Sequence, residues 1–425
     1  MLLTGANGYV GLRLLPELLE AGHEVVCLVR DRRRFPSGDF AGGKVMVVEG
    51  DLLDCASLGG LPEDVEAAYY LVHSMGAGTE RFQELDRESA GNFREAMERT
   101  RVRQIIYLSG IVPEGGDASL SPHLRSRLEV ERVLGAGGIA VTTLRAPIIV
   151  GSGSASFEII RDLVEKLPVM VAPRWLKTRC QPIAIRNVTA YLLGVLDLPA
   201  AMGGSFEIGG PEVLTYREML LRYGKRRGLR RLILTVPVMT PRLSSYWLFL
   251  VTSTSFPLAQ ALVDSMKHEV VCGEERIRGL VPQDLLSYEE AIDRALTKIA
   301  QNRVPSTWFD ALASGRLDSK LLGQIKPPEF GVLRDERRFD IVDSNEECVR
   351  RIWGLGGRAG WYYFDWAWSL RGWVDRLAGG TGLRRGRRNP EELCTGDALD
   401  FWRVLVVDRE AGRLLLFAEM KLPGE

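Results

Sequence analysis

The chain has 425 residues, too many for one ordinary domain and enough for two or three. Lys and Arg total 55, as do Asp and Glu, so no net field draws the protein to nucleic acid or an anionic membrane. Apolar residues make up 46%, enough for sizeable cores, and the six cysteines (Cys27, Cys55, Cys180, Cys272, Cys348, Cys394) form no Cys-x-x-Cys pair. That spacing argues against a disulfide framework or a zinc site and leads us to expect reduced thiols in a cytoplasmic protein. No signal peptide precedes the first element, and the start is abrupt enough that part of the first strand is expected to be missing.

Leu2 and Leu3 read as the end of a buried strand, and Leu12, Leu14, Leu15, Leu18 and Leu19 recur at helical spacing. Between them lies Thr4-Gly5-Ala6-Asn7-Gly8-Tyr9-Val10-Gly11. A strand that turns at once into a helix needs one glycine for the turn. A second lets a pyrophosphate reach the backbone, and a third lets helix and strand pack closely. The helix N-terminus then offers free N–H groups and a positive dipole end. A glycine-rich turn in any α/β domain is the plainer alternative. The visible strand and helix favour a dinucleotide.

Residues 24–29 read as the second strand, with Arg30 at its tip and Asp31-Arg32-Arg33-Arg34 after it. An acidic residue at that tip suits the ribose hydroxyls of NAD. An arginine suits the extra phosphate of NADP, so Arg30 favours NADP, with NAD the lesser choice. Further strands are expected at 44–49 (ending Gly50-Asp51-Leu52), 66–72 (ending in His73 and Ser74), 104–109 and 139–145, with helices at about 80–100 and 121–136. Strands alternating with helices predict an α/β fold with a doubly wound parallel sheet and its ligand at the carboxyl ends of the strands. Residues 231–265 are unusually apolar but are interrupted by Thr252-Ser253-Thr254-Ser255 and Pro257. They fall short of a membrane span; a buried lid or interface helix is expected, with membrane-surface contact the weaker alternative. Residues 284–301 suggest a closing amphipathic helix.

After the proline-bearing stretch 302–328, the βαβ rhythm stops. A strand is expected over 330–342, a helix over 344–354 with Val349, Ile352 and Trp353 on one face, and strands over 399–407 and 413–420. Seven of the nine tryptophans follow residue 300, a cluster that fits core, interface or a ligand cavity. The run Arg384-Arg385-Gly386-Arg387-Arg388 reads as a solvated loop, an anion site or a partner for Asp397 and Asp400.

The glycine loop, Gly50-Asp51-Leu52, the strand ending in Ser109, and Leu144-Arg145-Ala146-Pro147-Ile148-Ile149-Val150-Gly151 resemble the extended and atypical short-chain dehydrogenase/reductases. Gln181-Pro182-Ile183 and Phe206-Glu207-Ile208-Gly209-Gly210 extend the likeness over about residues 1–300. The resemblance implies a Rossmann core over 1–150 and a substrate lobe over 151–301 that packs with it as one domain. It implies cofactor contacts from Gly5, Asn7, Gly8, Tyr9, Val10, Gly11, Arg30, Asp51, Leu52, His73, Ser109, Arg127, Pro147 and Ile148. Ordinary members use Tyr-x-x-x-Lys with a serine. Here His123-Leu124-Arg125-Ser126-Arg127 puts His123 in the tyrosine slot and Arg127 in the lysine slot, with Ser109 in the serine slot. That departure places the chain near NmrA-like members with incomplete active-site sets.

Residues 329–425 resemble a START-like helix-grip domain around an apolar cavity, an α+β unit that ends too soon for a complete sheet. Two functions stay open. One is an NADP-dependent oxidoreductase acting on an apolar carbonyl, enone or quinone-like group, with Ser109, His123 and Arg127 at the reaction centre. The other is a non-catalytic NADP sensor or scaffold whose C-terminal domain holds a hydrophobic ligand or partner. An arginine one helical turn from His123 disfavours the imidazolium, which argues against His123 as a ready proton donor.

Overall fold

A computed structural model describes residues 1–32, 35, 40, 42–73, 82–112, 121–236, 263–264, 266–300, 340, 344–357, 359–377, 380, 382, 393, 397–409, 412–418 and 420. Expectations for Ser74, Arg33, Arg34, the connector 302–328, most of 330–342 and the arginine run at 384–388 lie outside these residues. The chain forms two compact units, Met1–Leu312 and Ala313–Glu425.

In the first unit the strands of the main sheet are β1 (Leu2–Thr4), β2 (Val25–Val29), β3 (Val45–Glu49), β4 (Ala67–Tyr70), β5 (Gln104–Gly110) and β6 (Ala140–Ala146). Between them run α1 (Gly11–Glu20), α2 (Phe82–Met97) and α3 (Pro122–Gly135). The chain continues through β7 (Ile149–Val150), α4 (Ala155–Lys166), β8 (Val169–Pro173), β9 (Arg179–Cys180), β10 (Ile183–Ala184), α5 (Ile185–Gly194), β11 (Ser205–Glu207), β12 (Leu214–Thr215), α6 (Tyr216–Arg226) and β13 (Leu232–Val236). The seven-stranded sheet has the order β11-β6-β5-β4-β1-β2-β3. Every pairing in it is parallel. The expected doubly wound α/β architecture is therefore what the chain builds.

Two-residue periodicity explains why both faces of this sheet are covered. Leu3, Cys27, Ile106 and Leu108 point to one face, where they pack with Leu14, Leu15 and Leu18 of α1. Leu2, Leu28, Ile105 and Tyr107 point to the other and meet Phe93 and Met97 of α2. Strands buried on both faces read as continuous apolar runs, as these do. A third core lies beyond the sheet, where α4, β8, α6 and the helix Tyr288–Ala300 pack around Phe157, Met219, Tyr223 and Ile292.

One expectation needs correction here. Within 231–265, residues Leu232–Val236 are not helical: they form β13, paired in parallel with β8. Ile233 faces the core while Leu232 and Leu234 face solvent, a two-residue pattern that the high local hydropathy masks. The rest of that stretch is largely outside the described residues.

The second unit has helices Asn345–Trp353 and Asp365–Leu377 and an antiparallel sheet β14 (Ala398–Leu399), β15 (Trp402–Asp408) and β16 (Arg413–Ala418). Trp353, Leu393, Leu399 and Val404 make its core. The helix expected over 344–354 is present, but only Trp353 of its three apolar residues is buried; Val349 and Ile352 are exposed. Among the described residues no helix is long and apolar enough to cross a membrane.

Candidate functional site

Because the main sheet is parallel, the carboxyl ends of its strands share one edge. The residues singled out by sequence follow β1 (the glycine loop), β2 (Arg30), β3 (Asp51, Leu52), β4 (His73) and β6 (Pro147, Ile148), or, for Ser109, close β5. The topology thus delivers these to the edge where such folds bind ligands, while His123 and Arg127 lie on α3.

The glycine loop is as tight as its sequence demands. Gly5 adopts φ +65, and a Cβ there would sit 2.7 Å from the Leu71 carbonyl oxygen. The Gly8 N–H donates to the Gly5 carbonyl at 2.8 Å, closing the turn. At Gly11 a Cβ would come within 2.2 Å of that same oxygen, so only glycine lets α1 begin so close to the turn. Val10 caps α1 with no side-chain hydrogen bond; the Leu12 and Arg13 N–H groups donate to the Gly8 and Val10 carbonyls at 3.1 and 3.0 Å, while the positive end of α1 faces the glycine turn. Arg13 lies over the Tyr9 ring at 3.9 Å and donates to the carbonyls of Tyr9 and Ser152, both at 2.6 Å, which ties the loop to the segment after β7. Burial pushes the Tyr9 hydroxyl up to about 12, so it stays protonated.

Arg30 is exposed at the tip of β2, while its neighbour Asp31 is buried. Asp51 is half-buried; its carboxylate accepts from the Leu53 N–H at 3.0 Å, and its own N–H donates to Ser57 Oγ at 2.8 Å. Leu52 is buried, with its carbonyl held by Asn92 Nδ2 at 2.8 Å. Asp51 and Leu52 therefore shape the loop after β3.

His123 stands near the N-terminus of α3, which Ser121 caps and Pro122 starts. Its Nδ1 lies 3.0 Å from Nε2 of His73. Nδ1 of His73 lies 2.8 Å from Oδ2 of Asp86, a residue only 3% exposed on α2. Ser126 Oγ donates to the same carboxylate oxygen at 2.8 Å. A carboxylate can only accept, so His73 donates to it from Nδ1 and must accept at Nε2. His123 then donates from Nδ1, which leaves its Nε2 with a free lone pair. With His73 held neutral by its burial, this geometry sets both tautomers and leaves Nε2 of His123 as the accepting end of the chain Asp86–His73–His123.

The electrostatics agree. Burial, reinforced by the Arg127 cation and opposed by Asp86, holds His73 below the usual imidazole value. Burial, then His73, then Arg127 hold His123 well below it. The arginine named from the sequence does depress His123, but burial outweighs it. Arg127 Nη1 donates to the Leu108 carbonyl at 3.0 Å, and its Nε is buried without a hydrogen bond. Ser109 Oγ is likewise buried, with the Tyr107 hydroxyl beside it but no hydrogen bond of acceptable geometry. Glu131, further along α3, is committed to Arg145 at 2.8 Å and Ser205 at 2.7 Å.

Sequence reasoning therefore placed His73 in the cofactor groove but missed that its ring is taken by Asp86 and His123. It missed Asp86 altogether. The available signal was Asp86 on the apolar stripe of α2, between Phe82 and Ala90. The unsatisfied Ser109 Oγ, the uncapped helix start and the glycine cradle fit a dinucleotide.

Comparison with known proteins supports that fit. Residues 5–164 match a family model described as NAD(P)H-binding, and residues 331–425 match one for proteins of unknown function, DUF2867. The first unit thus carries an NAD(P)H-binding, Rossmann-like domain. Curated proteins gave no match. A nucleoside-diphosphate-sugar epimerase from Staphylococcus aureus is 14% identical with a TM-score of 0.55, over 68% of this chain and 98% of its own. A short-chain dehydrogenase/reductase superfamily protein from Agrobacterium tumefaciens, solved with bound NAD, is 19% identical with a TM-score of 0.52, over 71% and 97%. UDP-glucose 4-epimerase from Thermotoga maritima, solved with UDP-glucose, is 13% identical with a TM-score of 0.54, over 71% and 98%.

Proposed function

We propose that the protein is an NADP(H)-dependent oxidoreductase that interconverts an apolar alcohol with its carbonyl, enone or quinone-like partner, with His123 as the acid–base group. The observation that carries this reading is the hydrogen-bonded chain Asp86–His73–His123, whose last imidazole is kept neutral by burial. When bound, the dinucleotide takes or supplies the hydride. Gly5, Gly8 and Gly11 would cradle its pyrophosphate, with Asn7, Tyr9 and Val10 lining the loop. Arg30 would meet the 2′-phosphate, and Arg127 the ribose side. The substrate hydroxyl transfers its proton to Nε2 of His123, and the positive charge that results is steadied through His73 by Asp86. Ser109 Oγ, without a hydrogen bond of its own, orients the substrate oxygen. His123 is unprotonated at neutral pH and so is available as a base, although a weak one, and we assign it to the direction of alcohol oxidation. For residues 329–425 we retain the helix-grip ligand holder as the reading, supported by a helix followed by antiparallel strands.

The test is turnover with NADP+ and a panel of secondary alcohols, in wild type and in His123→Ala and Asp86→Asn. Loss of a positioned acid–base group costs about 10²- to 10⁴-fold in kcat, with NADP+ affinity held within twofold. The acid limb of the wild-type profile should lie below the 6.5 or so of a free imidazole. Tight NADP(H) binding with no turnover for any alcohol, ketone, enone or quinone would overturn the reading and leave the sensor.

A further inference from the structure

β8 and β13 form a sheet of their own, two parallel strands on the outside of the third core. Side chains alternate along each strand. Met170, Ala172 and Ile233 turn inward to that core. Val169, Val171, Leu232 and Leu234 turn outward and are 50%, 43%, 54% and 48% exposed. The register pairs Leu232 with Val169 and Leu234 with Val171, so the four close into one aliphatic tile.

The two strands start side by side, and cations gather at that end. Residues 225–231 read Lys-Arg-Arg-Gly-Leu-Arg-Arg, and no carboxylate follows before Val236. Arg231 donates to the carbonyls of Val164 and Glu165 in the last turn of α4, and the Arg227–Glu165 ion pair spans 3.1 Å. The basic turn after α6 is thereby folded onto the approach to β8. Arg226 is committed to Asp293. Lys225 and Arg230 are exposed and make no ion pair among the described residues.

An aliphatic tile with cations at one end has a definite complement, a surface that is apolar below and anionic above. The four side chains present on the order of 300 Å2, against about 800 Å2 per partner in a stable dimer, and none of them is an aromatic anchor. A bilayer sets no such threshold, because each cation near anionic headgroups adds to the insertion of the apolar groups. The chain as a whole is neutral, so the attraction belongs to this patch alone.

We propose that the β8–β13 face docks on an anionic phospholipid bilayer. Val169, Val171, Leu232 and Leu234 enter the acyl boundary, and Lys225 and Arg230 meet the phosphates beside them. The proposal goes beyond the oxidoreductase reading and does not depend on it, since it concerns where the protein sits and not what it turns over.

The experiment is co-sedimentation of the full chain with vesicles of phosphatidylcholine alone and of phosphatidylcholine mixed with phosphatidylglycerol. Wild type should pellet with the mixed vesicles, stay in solution with the neutral ones, and be released as salt rises. Leu232→Ser/Leu234→Ser should weaken the partition at least tenfold. Lys225→Gln/Arg230→Gln should weaken it about thirtyfold, since each cation near the surface counts for about fivefold. Arg99→Gln/Arg101→Gln removes the same charge from exposed positions after α2 and should stay within twofold of wild type. NADPH affinity should stay within twofold in all three variants.

No pelleting with mixed vesicles, equal pelleting with neutral ones, or a partition unmoved by the leucine pair would overturn the proposal. Equal losses in the Lys225/Arg230 and Arg99/Arg101 pairs would do the same, by showing a general effect of charge. Self-association in sedimentation velocity that Leu232→Ser/Leu234→Ser abolishes would give the face to a second copy and also overturn it. The comparison of lipids and the release by salt need no variant, so a poorly folding pair leaves the test intact.

Discussion

Two imidazoles that resist protonation in the fold must be reflected in its stability. His73 and His123 both sit below the usual value of about 6.5. As pH falls through 6.5, the unfolded chain gains protons that the folded chain refuses. Stability from this pair is therefore fully present above 6.5 and is lost as pH falls toward the folded values. With both sites refusing a proton, the slope reaches about 2.7 kcal/mol per pH unit, and it levels off once the folded pair takes up protons. Urea midpoints between pH 7.5 and 5 check this, comparing wild type with His73→Gln/His123→Gln. The double variant should show the shallower acid loss, and equal slopes would mean that the histidines titrate normally. At this scale the sequence revealed half the site. His123, Ser126 and Arg127 stand in one short run and are readable by register. Asp86 meets Ser126 across 40 residues and His73 across 13, contacts that exist only once α2 has docked on α3.

The junction of β1 with α1 makes its own demand. Alanine at Gly11 puts a Cβ 2.2 Å from the Gly5 carbonyl and 2.9 Å from Ala6 Cα, both backbone atoms that cannot rotate away. Gly11→Ala should cost about 1–3 kcal/mol, as overpacking does. It should also weaken NADPH binding at least tenfold, because α1 must lift from the turn that presents its N-terminus. Gly91, inside α2, has open space around its missing Cβ. Gly91→Ala should therefore stabilise by up to about 1 kcal/mol, through helix propensity alone. Denaturation midpoints and NADPH titration of the two variants check the pair. The elements of the Rossmann half were legible because leucines at helical spacing and short doubly buried strands are strong signals. β13 was not, since its alternation is buried in a longer apolar run. Neither was the helix Asp365–Leu377, whose Trp366, Leu370 and Trp373 are exposed and make no inward stripe.

At the level of the whole chain, two compact units with separate cores should melt as two cooperative events. Only the event of the first unit should move with cofactor: a ligand at 100 times its Kd stabilises the domain that binds it by about 2.7 kcal/mol. Calorimetry with NADPH and then NADH reads this directly. A larger shift with NADPH at equal concentration supports the role given to Arg30, and equal shifts remove it. Movement of both transitions together would show that the units do not melt independently. In the sequence the strand–helix alternation ends near residue 300, whereas the two compact units divide after Leu312. The architecture of the second unit was less legible, because aromatic content does not distinguish core from surface. The parallel sheet also sets how fast the protein can assemble. It contains no hairpin, and its shortest pairing, Val25 with Val45, closes a loop of about 20 residues. β6 cannot gain its outer neighbour until Ser205 has been made, because Ser205 pairs with Thr143. Each of these closures costs chain entropy before it returns any contact, so the first unit belongs among slow folders. Its apolar strands wait unpaired while the ribosome works, so the strand order itself lengthens the interval in which they are open to aggregation.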